Sequence, residues 1–390
     1  MTKSADVVVV GGGVIGTAIT YYLAKKNLDV ILVEAGDIAE GTSSKCDGNV
    51  LIHDKMPGYD SKLAKLGQDL FPQLAQEIDY ELDWTCRGSL LVIESDEEME
   101  VAKELYRKQF EGGFPVRLMD QYEVHDDEPN LAKDIIGGLE FQCDGSLDPM
   151  ALAFGLIYGA KKLGAEIQTY TKVTGIVTNP KEGVQQVITD KGLIATKRVV
   201  NAAGVWAPEI GRMVGLDIPI KPRQGQILVA ERTLPVARRK TVEFGYMMAK
   251  FEGSNYKRKV SRDIEEYGIA FVFEPTLAGN FLIGSSRRFV GMDITCHIEV
   301  LRALAKRATR FFPIMKDINV IRSYSGVRPY TPDHYPIISE TKIPGFYVAA
   351  GHEGDGVGLS PITGKLIAQM ICGEATEINV EPLKLSRFMA

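Results

Sequence analysis

The chain has 390 residues, 45% hydrophobic and 25% charged, which excludes a disordered or fibrous protein and leaves room for two domains. Its 45 basic and 51 acidic residues give a net charge of −6, which argues against a nucleic-acid partner. No apolar run approaches the ~18 residues of a membrane-spanning helix, so no transmembrane segment is expected. Cys46, Cys86, Cys143, Cys296 and Cys372 are odd in number and never spaced C-x-x-C. That argues against an iron–sulfur cluster, a structural zinc or a secreted disulfide scaffold. The apolar N-terminal stretch contains glycines and lacks a small-residue cleavage site, so the expected location is cytoplasmic.

The first 34 residues carry the strongest signal. Val7 to Val10 form a run of four valines, the pattern of a strand buried on both faces. Gly11, Gly13 and Gly16 then make G-x-G-x-x-G: one glycine for the tight turn, one for close approach to a pyrophosphate, one for helix–strand packing. Ile15, Ala18, Ile19, Tyr22 and Leu23 recur at helical spacing, and the first N–H groups, at Val14 and Ile15, would face the anion. A second apolar strand, Val30 to Val33, runs into Glu34 and Ala35, and an acid at that place accepts from ribose hydroxyls. Together these predict a bound dinucleotide with an adenosine diphosphate half. The glycines alone do not separate FAD from NAD. The next loop, with Thr42, Ser43, Ser44, Gly48 and Asn49, has the small and hydroxyl residues that could bond a pyrophosphate and pass close to a flavin ring.

Helical patterns follow at 61–80 and 96–112, with a strand-like Ser89 to Glu94 between them. Asp148-Pro149 opens a helix that Gly164 stops, and short strands are predicted near 166–170, 173–178, 184–189 and 192–195. Arg198 to Ala203 reads as a buried strand ending in small residues, among them Ala202 and Gly204, before Trp206. Gln224 to Ala230 and Ile269 to Ile283 look like antiparallel strands, and a helix is expected over 296–312. Gly345 to Ala350 is a last strand. The glycine-rich loop beyond it, with Gly351, His352, Glu353, Gly354, Gly356, Val357, Gly358, Leu359 and Ser360, is expected to precede a helix from Ile362 to Ile371.

In this order the segments resemble the D-amino-acid-oxidase-like family of FAD-dependent oxidoreductases, which includes glycine and sarcosine oxidases. The finer similarity is to the β-type flavin subunits of hydroxyproline, opine and sarcosine dehydrogenase complexes. The family resemblance rests on Val7 to Gly16 with Glu34, Thr42-Ser43-Ser44, Val199 to Trp206, Gly326-Val327-Arg328-Pro329 through Asp333, and Ala349 to Pro361; the finer similarity rests on Cys46-Asp47-Gly48-Asn49, the insert 238–267 and Gly284 to Asp293. It implies an α/β fold: an FAD-binding Rossmann-like domain with a parallel sheet, and an α+β substrate domain with a mainly antiparallel one. The expected FAD-binding pieces are 1–85, 145–218 and 320–390, and the substrate pieces 86–144 and 219–319. Val173 and Gly326 join the cofactor-binding set by the same resemblance. FAD is implied to be non-covalent, because 323–333 contains no cysteine for attachment.

The implied reaction is oxidation of the C–N bond of a small amino or imino acid, with hydride passing to flavin N5. Arg328 matches the family's carboxylate-binding arginine, and Tyr330, Tyr246, His352 and Glu353 are candidate pocket residues. No catalytic acid or base is assigned. Glu353-Gly354-Asp355 could favour a substrate with an extra cationic group. Residues 238–262 carry eight basic against two acidic residues, which suggests docking to partner subunits of a dehydrogenase complex. The competing classes are a flavin-binding electron-transfer or assembly subunit, a flavoprotein that modifies nucleic acid, and an NAD-dependent dehydrogenase.

Overall fold

The computed structural model describes residues 3–250 and 258–389, apart from the side chains of Ala249 and Lys250. Lys257 and Glu252, counted in the basic segment, lie outside the described residues. The four valines Val7–Val10 sit at the heart of a six-stranded sheet, paired in parallel with Val30–Val33 on one side and Val199–Asn201 on the other. Glu166–Gln168 extends it in parallel, as does Phe346–Ala350 on the far side. Ile337–Glu340 closes that edge antiparallel.

Alternation explains why every position in that strand is apolar. Val7 and Val9 join the core formed with the helices, whereas Val8 and Val10 join a second core against a four-stranded sheet. That smaller sheet contains Val173–Asn179, Gly183–Thr189 and Gly192–Ala195, close to the expected strands. On the helical face, Val14–Lys25 packs between Pro149–Lys162 and Gly356–Cys372. Asp148 caps the second of these, its carboxylate accepting from the backbone N–H of Met150 and Ala151.

The other body is an eight-stranded, mainly antiparallel sheet assembled from three stretches of chain. Its order runs Val320–Tyr330, Lys221–Ala230, Phe281–Gly284, Val272–Pro275, Lys240–Glu243, Ser89–Ile93, Gly137–Phe141, Val116–Met119. Lys240–Glu243 and Ser89–Ile93 form its one parallel pair among the described strands. Helix Ile298–Phe311 covers one face through Val300, Leu304, Ala308 and Phe311 against Leu228, Phe271 and Phe273. The opposite face, with Val242 and Val272, turns toward the six-stranded body.

Three expectations need correction. Val320–Tyr330, assigned to the FAD-binding pieces, pairs along Lys221–Ala230 in the eight-stranded sheet, so the return to the other body comes after Tyr330. The single helix over 61–80 is two, Tyr59–Asp69 and Phe71–Ile78, because Pro72 has no N–H with which to continue the first. The last helix starts at Gly356, not Ile362, so the glycine-rich segment forms its first turns.

Candidate functional site

Two contiguous cavities lie between the bodies, sharing Val14, Thr42, Ser43, Glu353 and Gly356 in their walls. The larger, about 580 Å³, is built on the carboxyl ends of the parallel strands. Gly11 turns the chain there with φ of +113°, and a Cβ on it would lie 2.5 Å from the Ala202 carbonyl oxygen. Gly16 does not line the cavity. It lets the helix sit on the Gly11 carbonyl, where any side chain would collide. Helix Val14–Lys25 has no side-chain cap from Gly13, and the N–H of Val14 donates to Ser43 Oγ at 3.1 Å. The following N–H groups of Ile15 and Gly16 have no intrahelical acceptor and are left for an anion.

Glu34 completes this end. Its Oε2 accepts from the Gly12 N–H at 2.6 Å and its Oε1 from Gly36 at 2.8 Å, which holds the carboxylate at the cavity wall beside Ala35. Val173, Ala202, Gly204, Trp206 and Gly351 line the same space. A side-chain-free turn, exposed helix N–H groups and a fixed acid fit an adenosine diphosphate, and the shared wall lets a longer molecule continue into the second cavity.

That second cavity is lined from one side by Asn49, His53 and the first helical turn Gly356, Val357, Gly358 and Leu359. Lys55, buried and paired with Asp54 and Asp355 (2.8 Å to the latter), ties this loop to the helix start. From the other side come Gly225, Ile227, Val242, Tyr246, Val272, Arg287, Gly326 and Arg328. Arg328 is held in place by its own sheet, donating to Ser286 O at 3.1 Å and Ser285 Oγ at 2.8 Å. Burial and the neighbouring Arg287 and Arg223 pull its pKa down to about 10, so the guanidinium stays charged at neutral pH.

Most of the expected site residues converge here, and several do not. Tyr330 lines neither cavity. It packs edge-on against Phe289 and His334, under the Arg223 guanidinium. Ser44 turns its hydroxyl to the Glu40 and Gly41 carbonyls. The N–H of Gly48 donates to Glu274, outside both cavities. Ser360 is buried in the helix, donating to Val357 O. His352 lies on the larger, cofactor-side cavity rather than beside Arg328, its Nε2 3.0 Å from Thr363 Oγ1. Burial pushes its pKa down to about 3, so it is neutral.

The acidic loop does not offer a free anion to a cationic substrate. Glu353 is paired with Arg223 at 2.8 Å and with His334 at 3.2 Å, while Asp355 is paired with Lys55. Part of the basic segment is spent within the fold, while Arg238 and Arg262 are exposed. Arg239 pairs with Asp127 and Glu140, Arg258 with Glu243, and Lys240 is buried. Arg287 and His53 were missed in the sequence. Arg287 lies in the segment Gly284 to Asp293 that the finer similarity used, but no role was read for its side chain, and His53 is fixed by Asp144, 91 residues away.

A family model described as FAD dependent oxidoreductase (DAO) matches residues 6–370. Among curated proteins, the chain is 29% identical to a glycine oxidase of Geobacillus kaustophilus, covering 99% of this chain and 98% of that one. It is 28% identical to the hydrogen cyanide synthase subunit HcnC of Pseudomonas protegens, covering 100% and 97%. Among solved structures, the Geobacillus kaustophilus glycine oxidase superposes with a TM-score of 0.88 at 27% identity over both full chains. An L-proline dehydrogenase from P. horikoshii gives 0.88 at 25% identity, covering 100% of this chain and 98% of that one. Among the described residues no helix is long and apolar enough to cross a membrane. With its glycine turn, fixed Glu34 and paired cavities, the chain belongs to the DAO family of FAD-dependent oxidoreductases.

Proposed function

We propose that the protein oxidises the C–N bond of a small amino or imino acid of the glycine, sarcosine, proline, hydroxyproline or opine type. The observation that carries this is Arg328: a charged guanidinium, braced by Ser285 and Ser286, in the wall of a cavity continuous with the cofactor cleft. FAD, when bound, supplies the hydride acceptor for the carbon that bears the nitrogen. Gly11, Gly13, Val14, Ile15, Glu34 and Ser43 would hold its adenosine diphosphate half. Arg328 would grip the substrate carboxylate and so fix which carbon is presented. Ile227, Val242 and Val272 supply an apolar wall that keeps water from the reacting carbon. The names of the glycine oxidase and proline dehydrogenase relatives support the amino-acid class.

A role as one subunit of a larger assembly is the second reading, favoured by the similarity to HcnC, itself named as a subunit. The test is an anaerobic panel of glycine, sarcosine, proline, hydroxyproline and D-amino acids added to the holoprotein, with flavin absorbance recorded. Bleaching by at least one of them supports oxidation by this chain. If dithionite bleaches the flavin and no amino acid does, the reading fails and the electron-transfer role takes its place.

A further inference from the structure

Most ionisable groups around the second cavity are paired, and Arg287 is an exception. Lys55 is matched by Asp54 and Asp355, Arg223 by Glu353, and His53 by Asp144. Lys240, whose Nζ is buried without a hydrogen-bond partner, lies against Glu274, and the two attract each other electrostatically. What remains in the wall is Lys45 and two guanidiniums, Arg287 and Arg328, with the carboxylate of Asp47. The two arginines are neighbours: Arg328 donates to the carbonyl of Ser286, the residue immediately before Arg287. Arg223, paired with Glu353, faces Arg328 across the strand pair.

Arg287 is built to wait for a ligand. Its guanidinium carbon lies over the Tyr246 ring, 3.8 Å from the centroid, which restrains the side chain by a cation–π contact. Its Nη1 is buried and has no hydrogen-bond partner. A buried, unpaired donor on a cation is costly, and a carboxylate is the partner that satisfies two of its donors at once. Arg328 spends one N–H on Ser286 O and one on Ser285 Oγ and keeps the rest of its fork for one carboxylate, while Arg287 offers its own fork to another.

Resting on the amino-acid reading above, we infer that the substrate carries two carboxylates, one held by Arg328 and the other by Arg287 on its Tyr246 platform. Two kinds of molecule have this chemistry: an amino acid with an acidic side chain, or a secondary amine joining two carboxylate-bearing arms. Arg287 is then the residue that selects for the second anion.

The test uses the holoprotein and ligands that cannot be oxidised at a C–N bond. Calorimetric titration compares oxydiacetate with methoxyacetate, and succinate with propionate. The wild type is expected to bind the dianion at least about tenfold more tightly in one of the pairs, the geometry of that pair identifying the substrate type. In Arg287→Met that preference should fall to about twofold or less, and Arg287→Lys should keep an intermediate preference, charge without the fork. Equal binding of dianion and monoanion in both pairs by the wild type overturns the inference without need of any variant. Equal weakening of both members by Arg287→Met also overturns it. Anaerobic flavin reduction by iminodiacetate, aspartate and glutamate is a separate readout. If no amine of any kind reduces the flavin while the dianion preference holds, the oxidation reading fails and the two-carboxylate site stands.

Discussion

At the scale of single residues, the proposed function rests on Arg328, which is charged and held in place by its neighbours. Its fork is pinned by Ser285 and Ser286, and Gly225 on the paired strand leaves it room, since a side chain there would strike the guanidinium. Arg328→Ala should lower kcat/KM for the amino acid that bleaches the flavin by on the order of 10²- to 10³-fold, or about 3–4 kcal/mol of transition-state stabilisation. Arg328→Lys should recover part of it. FAD content measured after gel filtration should be unchanged, because Gly13, Val14 and Ser43, which would hold the diphosphate, line the larger cavity and Arg328 does not. An unaltered kcat/KM removes the arginine from the substrate site. Arg328 entered the sequence reading through the family resemblance of Gly326-Val327-Arg328-Pro329, and the structure places it in the cavity wall. Arg287 was not legible there, because its significance lies in contacts with Tyr246 and in a missing partner, neither of which leaves a trace in local sequence.

At the scale of elements, strands were easier to recognise than the start of the last helix. Four glycines and a proline between Gly351 and Pro361 read as loop, yet Gly356–Cys372 is one helix with Pro361 inside it. A proline there leaves the carbonyl four residues earlier, Val357 O, without its backbone donor. Ser360 answers the defect, its buried hydroxyl donating to Val357 O at 2.9 Å. The break expected from proline is thus repaired by the residue before it, and the helix begins early enough for its first turn to line the second cavity. Ser360→Ala should orphan that carbonyl and cost about 1–2 kcal/mol in urea unfolding of the holoprotein, whereas Ser360→Thr, which keeps the hydroxyl, should cost less. Equal stability of the alanine variant would show that the carbonyl is satisfied another way.

At the scale of the whole molecule, the chain crosses between its two bodies several times, and pairing at long range decided what local pattern could not. Val320–Tyr330 was placed with the wrong body because its partner strand, Lys221–Ala230, lies about a hundred positions earlier. The distribution of buried ionisable groups is equally invisible in sequence, and it predicts how stability depends on pH. Glu128, in the eight-stranded body, is buried and accepts twice from the Arg238 N–H, at 3.0 and 3.1 Å. Burial pushes it up to about 7 from an ordinary 4.5. Between those values the folded state holds a proton that the unfolded chain has released, so this contribution is complete below pH 4.5 and is lost as pH rises through 7. His352, in the other body, is pushed by burial down to about 3 from 6.5, so its contribution is complete above pH 6.5 and is lost as pH falls toward 3. Each slope is roughly 1.4 kcal/mol per pH unit, opposite in sign, so between pH 4.5 and 6.5 the two offset each other. Removing either one should expose the other. With FAD saturating, Glu128→Gln should gain stability relative to wild type as pH rises from 5 to 6.5, and His352→Gln should lose it over the same interval. Urea unfolding at the two pH values measures both. Variants whose stability runs parallel to wild type would mean that neither group is shifted.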